Sequence, residues 1–335
     1  MEQSIAVTDS RKHRQMFSLN LIRAVAILMV LLDHSLRSDL NEDVAYLLRL
    51  IVNPDAVLFF MVSGALLFPV TGSWGDFLRR RIVRVFIPFV VWVMVYALGY
   101  YWLGWMDEYS LATQIRWSWM SFNFMQGWFI PAIMGVYLIM PLLSPWIARA
   151  TRGQFRYVMV LWLLSGMLPF CQAFGGVKPD GTALIMFMSA WPFAIMGYYI
   201  ARFRPYDGNR MVYAVLLMAG IVLPFILHDA GTTIDTKKLF LKPWCICASC
   251  SAMLYYSLMI KVKTFGATLD RVVNFISRYS YGIFLTHWVI GGHIIPHCFP
   301  AIAQSTPLLF LIQLAGSLLL TIALRHIPFL GRYLV

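Results

Sequence analysis

Apolar stretches of about 20 residues alternate with short polar or basic segments along the chain, at about 17–37, 45–68, 82–104, 125–146, 157–172, 184–203, 211–228, 240–260, 273–294 and 306–326. A helix rising about 1.5 Å per residue needs roughly 20 residues to cross the hydrocarbon core of a bilayer, and helices satisfy their own backbone there. The pattern therefore predicts an all-α, polytopic transmembrane bundle of about ten spans. It forms one domain over residues 1–335, with a polar tail at 1–16 and the bundle at about 17–326.

The first of these runs, FSLNLIRAVAILMVLLDHSLR, carries two titratable side chains, Arg23 and His34. Eleven helical positions amount to three turns plus roughly 20°, so both project from nearly the same face, about 16 Å apart along the axis. A centrally placed Arg costs about 2.5 to 3.5 kcal/mol on insertion scales and normally faces a bundle interior or a wet cavity. Two readings fit the helix alone. Arg23 and His34 line a buried polar chamber, or Arg23 snorkels to the near interface and His34 sits inert at the far one.

Two further stretches bear on that choice. GSWGDFLRRRIVRVFIP (72–88) gathers Arg79, Arg80, Arg81 and Arg84 ahead of Pro88. Guanidinium forks suit phosphate oxygens, so a phosphorylated cytoplasmic ligand fits there; anionic lipid headgroups or topology signalling fit as well. FISRYSYGIFLTHWVIGGHIIPH places Ser280 and Tyr281 about one and a half turns before His287, at a depth comparable to His34. Ser63 and Gly64 in the second span offer a small surface for a close backbone or ligand, and Trp128 opens the fourth.

Composition narrows the class. The chain is 60% hydrophobic and 16% aromatic with 13% charged residues, against about 25% charged in soluble domains. Its net charge of +12 reflects topology and not nucleic acid: with both termini cytoplasmic, the inner segments hold 19 of the 27 Lys and Arg and the outer ones 7, Arg23 lying within the first span. The tail lacks a small-residue cleavage site, so the first span reads as an anchor. With no extramembrane domain expected at either end, chemistry falls to the bundle and its loops. Trp105, Trp117, Trp119 and Phe122 in the outer loop after the third span read as an interfacial belt or amphipathic segment, and FGGVKPDGT as a turn-rich loop. Cys245, Cys247 and Cys250 are spaced around a helix as small apolar fillers, and no metal site is expected. No Walker loop, GxGxxG, HExxH or GxSxG is present.

Taken together these residues resemble the acyltransferase-3 family of integral membrane acyltransferases, which acylate sugars of bacterial surface glycans. The resemblance rests on Arg23 and His34, on Phe59, Phe60, Ser63 and Gly64, and on Arg80, Arg81, Arg84 and Pro88. It continues through Trp128, Phe129, Tyr137 and Pro141, then Phe193 and Gly197, then Ser280, Tyr281 and His287. Within the family the chain is most similar to stand-alone enzymes that O-acetylate enterobacterial common antigen or lipopolysaccharide O-antigen. Ala24 and Ala65 depart from the glycine and the aromatic common there.

The resemblance implies a bacterial inner-membrane O-acetyltransferase with acetyl-CoA as donor and a glycan or lipid-linked oligosaccharide as acceptor, working among membrane lipids without metal or nucleic acid. It implies Arg79, Arg80, Arg81 and Arg84 as the docking site for donor phosphates, Arg23 at the thioester and His34 as general base. Ser63, Trp128, Ser280, Tyr281 and His287 are then candidates for the acceptor or the oxyanion. The rival readings are a transporter or flippase, in which Arg23 and His34 serve a substrate or proton path, and a structural membrane partner.

Overall fold

The computed structural model describes residues 2–103, 110, 112–113, 128–175, 183–227, 236–328 and 331–334, and these contain helices and no β-strand. The aromatic belt at Trp105, Trp117, Trp119 and Phe122 lies outside them, as does most of the FGGVKPDGT loop. Six helical runs are long and apolar enough to cross a membrane: Met16–Ser35, Glu42–Leu67, Trp74–Gly99, Phe129–Arg149, Arg152–Cys171 and Thr306–Arg325. The expected spans at 184–203, 211–228 and 240–260 appear as shorter helices, Ala190–Phe203, Arg210–Ile226 and Ile246–Met259. The first is preceded by a 3-10 turn at Ala183–Phe187, which shortens its regular part.

The chain divides into two compact units, Met1–Phe68 with Pro145–Ser280, and Pro69–Ser144 with Tyr281–Val335. The first is built on α1 (Glu2–Ser35), which reaches back through the segment expected as a polar tail, with α2 (Glu42–Val52) and α3 (Asp55–Leu67). Asn53–Pro54 separates α2 from α3, because a proline has no N–H to continue the ladder. α3 packs on α1 and on α4 (Ala190–Phe203). Here the two motif glycines act as a pair: a Cβ on Gly64 would strike the Ala194 backbone, and one on Gly197 the Met61 backbone. Small residues let helix backbones approach this closely where no apolar–water contrast drives association. Phe60 stacks on Trp244 and Phe193 packs against it at a tilt, with ring centroids 6.0 Å away in each case.

The second unit includes one long helical run, the Phe129–Arg149 helix as far as Ser144, and two others. The run comprises α5 (Trp74–Arg81), a π turn at Ile82–Phe86 and α6 (Ile87–Trp102). The others are α7 (Ala267–Trp288, from Tyr281 onward) and α8 (Thr306–Arg325). The helical start at Trp74, eight residues before the expected span, is set by Ser73, whose side chain caps the Asp76 N–H. Buried hydroxyls and one amide join α7 to α8. Thr286 Oγ1 donates to Ser317 O at 3.2 Å and Gln313 Nε2 to His287 O at 3.2 Å, and Thr286 Oγ1 lies 3.4 Å from Thr321 Oγ1.

Three π turns occur among the described residues, at Ile82–Phe86, Met218–Val222 and Val289–Ile294. Each is succeeded by a helix with proline near its start: Pro88, Pro224 and Pro296. A proline inside a helix loses one backbone bond and drives its ring against the carbonyl four residues back; widening the turn accommodates both.

Candidate functional site

α1 holds Arg23 and His34 on one uninterrupted helix. The stripe that joins them passes over Ile27, Val30 and Leu31, which are 0–2% exposed, while Arg23 and His34 themselves are half-buried. The face that carries the two titratable groups is thus the buried face of the helix.

The membrane-length part of this helix, Met16–Ser35, is held near both of its ends. Near Met16, Ser18 Oγ donates to Val262 O at 2.6 Å, Asn20 Nδ2 to Asn274 Oδ1 at 2.9 Å, and Ser277 Oγ to Asn20 Oδ1 at 3.2 Å. At the C-terminal end Arg37 donates to the carbonyls of His34 and Leu36, at 3.0 and 3.1 Å. Those carbonyls lie at the C-terminus, where the helix leaves acceptors unsatisfied and its dipole favours a cation. Arg49 of α2 pairs with Asp33 at 4.0 Å. Asp55, whose carboxylate caps the Ala56 N–H, lies within electrostatic range of Asp33. His34 is therefore set among Asp33, Arg37 and Arg49, a group of charges that the residue-by-residue sequence reading did not assemble. The signal was available, since Arg49 and Asp55 are charges within a spanning run, and such charges need partners.

Ser63 is half-buried on α3, one position before Gly64. Ser280 closes the first unit; it is 1% exposed and its hydroxyl donates to Ser277 O at 2.9 Å. It sits one helical turn beyond the Ser277 contact with Asn20 of α1.

The arginines of α5 and its π turn separate into two kinds. Arg79, Arg80 and Arg84 are exposed, whereas Arg81 is half-buried with its guanidinium carbon over Phe77 at 5.4 Å and over Tyr137 at 5.6 Å. Arg79 has Asp76 at 4.0 Å. Among the described residues no carboxylate lies within ion-pairing distance of Arg80 or Arg84. Exposed, unneutralised guanidiniums one turn apart fit a phosphate ligand.

In the same unit Trp128 and His287 are brought together through a run of rings: Trp128 with Phe129 at 6.4 Å, Phe129 with Phe284 at 5.1 Å, and Phe284 with His287 at 5.7 Å. His287 is fully buried and its Nδ1 lies 2.6 Å from Phe284 O. The Tyr281 hydroxyl donates to Val85 O, inside the π turn that carries Arg84. Among the described residues no group of His, Cys, Asp and Glu side chains is placed to hold a metal ion.

Apolar helices of spanning length, with charged side chains on the buried face of one of them, define a helical membrane protein. A family model described as an acyltransferase domain matches residues 16–326, and the chain belongs to the acyltransferase-3 family. It is a membrane acyltransferase. Comparison with curated proteins and with solved structures returned no match.

Proposed function

We propose that the protein transfers an acetyl group from cytosolic acetyl-CoA to a hydroxyl of a bacterial cell-surface glycan or its lipid-linked precursor, in the inner membrane. Both termini face the cytosol, and the shorter helices complete about ten crossings. The observation that carries the reading is α1: Arg23 and His34 share the buried stripe of one straight helix whose Met16–Ser35 part is held near both ends.

In this reading His34 takes the proton of the sugar hydroxyl as its oxygen attacks the thioester carbonyl. The new C–O bond forms, the C–S bond breaks, and the proton passes to the departing thiolate. Arg23 steadies the thioester and the charge that develops on its oxygen. Arg80 and Arg84, with Arg79 beside them, hold the donor's phosphates, and Arg81 stays committed to Phe77 and Tyr137. Ser63, Trp128, Ser280 and His287 are the candidates on the acceptor side.

The test uses purified full-length protein with acetyl-CoA and a glycan acceptor. Acceptor-dependent release of free thiol is the expected result. Movement of the glycan across a vesicle membrane with no thiol released is the transporter's signature and would overturn the assignment.

A further inference from the structure

The arginine-bearing helix contains a feature that donor docking alone does not require. Between Arg81 and Pro88 the backbone forms a π turn, Ile82–Phe86, closed by the Ile87 N–H on Ile82 O. In an unbroken α-helix the ring of Pro88 would press on the carbonyl of Arg84, four residues back, and the wider turn relieves this. One extra residue in a turn rotates the helix beyond it by on the order of 100°. The direction of Arg84 relative to Arg79 and Arg80 is therefore set by whether this turn is π or α.

Two side chains from other helices hold the turn and its neighbour. The Tyr281 hydroxyl of α7 donates to Val85 O within the turn, at 2.5 Å. Tyr137 lies under the Arg81 guanidinium and is also within electrostatic range of Tyr281. Arg81, stacked between Phe77 and Tyr137, fixes the last turn of α5. Tyr281 and Tyr137 thus converge on one short segment, with Arg80 on one side of the π turn and Arg84 inside it.

We propose that Tyr281 is a positioning residue for the acyl donor: through Val85 it keeps the Ile82–Phe86 turn in its wide form, and so keeps Arg80 and Arg84 spaced for the donor's phosphates. It does not meet the sugar or the oxyanion, the role that the sequence pattern suggested for it. This inference rests on the donor-docking role of Arg80 and Arg84 stated above. A purely structural tyrosine would lower stability and amount of folded protein without favouring one substrate over the other.

The experiment measures coenzyme A binding by calorimetry, with donor KM, acceptor KM and kcat by thiol release, on the full chain in lipid nanodiscs. Tyr281→Phe removes only the hydroxyl, and Pro88→Ala removes the ring that favours the wide turn. Both are expected to raise the coenzyme A Kd and donor KM at least fivefold, with acceptor KM and kcat at saturating donor within twofold of the parent. Arg80→Gln with Arg84→Gln is run beside them. If that double variant binds coenzyme A as the parent does, the docking role itself falls. If it binds weakly while Tyr281→Phe and Pro88→Ala bind normally, docking stands and the role of Tyr281 is overturned. A Tyr281→Phe protein with normal donor binding and reduced kcat also overturns it. Should Tyr281→Phe fail to fold, Pro88→Ala alone decides.

Discussion

α1 and the helical run from Trp74 to Trp102 both carry arginines that the proposed mechanism uses, and they are built in opposite ways. α1 is regular throughout, and its Met16–Ser35 part is tied near each end, by Ser18, Asn20 and Ser277 on one side and by Arg37, Asp33 and Arg49 on the other. Its two titratable groups project from a face whose intervening residues are buried. The Trp74–Trp102 run is interrupted where its charges lie, and three of its four arginines are exposed. A straight, pinned helix suits groups that must meet reacting atoms within about half an ångström. Exposed guanidiniums around a widened turn suit a flexible polyanion, held by charge and not by a single geometry.

If this division of labour holds, damage to the two helices will appear in different kinetic constants. The largest effect on binding is expected from Arg80→Gln with Arg84→Gln. Each lost charge-assisted contact is worth about 1.5 to 3 kcal/mol, and at the low end of that range for exposed groups the pair weakens donor binding about a hundredfold. Calorimetric titration with coenzyme A reads this directly, and acceptor KM should move little. A smaller effect is expected from Arg49→Gln, which frees the C-terminal end of α1. The ion pair with Asp33 joins side chains 44% and 33% exposed, so it contributes about 1 kcal/mol or less. Turnover should fall several-fold with donor Kd unchanged. An equal shift in donor Kd would erase the distinction between the helices. The smallest effect is expected from Asn20→Ala near Met16, where two neutral hydrogen bonds contribute about 0.5 to 1.5 kcal/mol each. A lowered thermal midpoint with near-normal kinetic constants is the outcome sought there.

The regular parts of the molecule were legible in the chain because period and length report them directly. The first span was expected at 17–37 and the spanning run covers Met16–Ser35; the last was expected at 306–326 and covers Thr306–Arg325. The shared face of Arg23 and His34 came from eleven residues of helix, and the close approach at Gly64 from a small-residue pair in an apolar run. The π turns were not legible, since one extra residue leaves the apolar pattern intact. Their trace in the chain is a proline deep in a hydrophobic stretch, as at Pro88, Pro224 and Pro296. The charges around His34 were missed for a different reason. Asp33 and His34 are helix neighbours that point about 100° apart, and this rotation directs Asp33 to Arg49 on α2. Partners across helices carry no sequence spacing. The engagement of Ser280, Tyr281 and His287 with backbone carbonyls was equally invisible, because a hydroxyl or imidazole in a motif reads the same whether it faces a ligand or a carbonyl.

The most direct test of the mechanism is a single-turnover assay with acetyl-labelled acetyl-CoA and a purified glycan acceptor, comparing the parent protein with His34→Ala at equal folded amounts. Loss of a positioned general base lowers the chemical step by about 10² to 10⁴-fold. The mechanism predicts that His34→Ala still binds coenzyme A normally but forms glycan O-acetyl ester at least a hundredfold more slowly. Ester formation by His34→Ala at the parent's rate would contradict it.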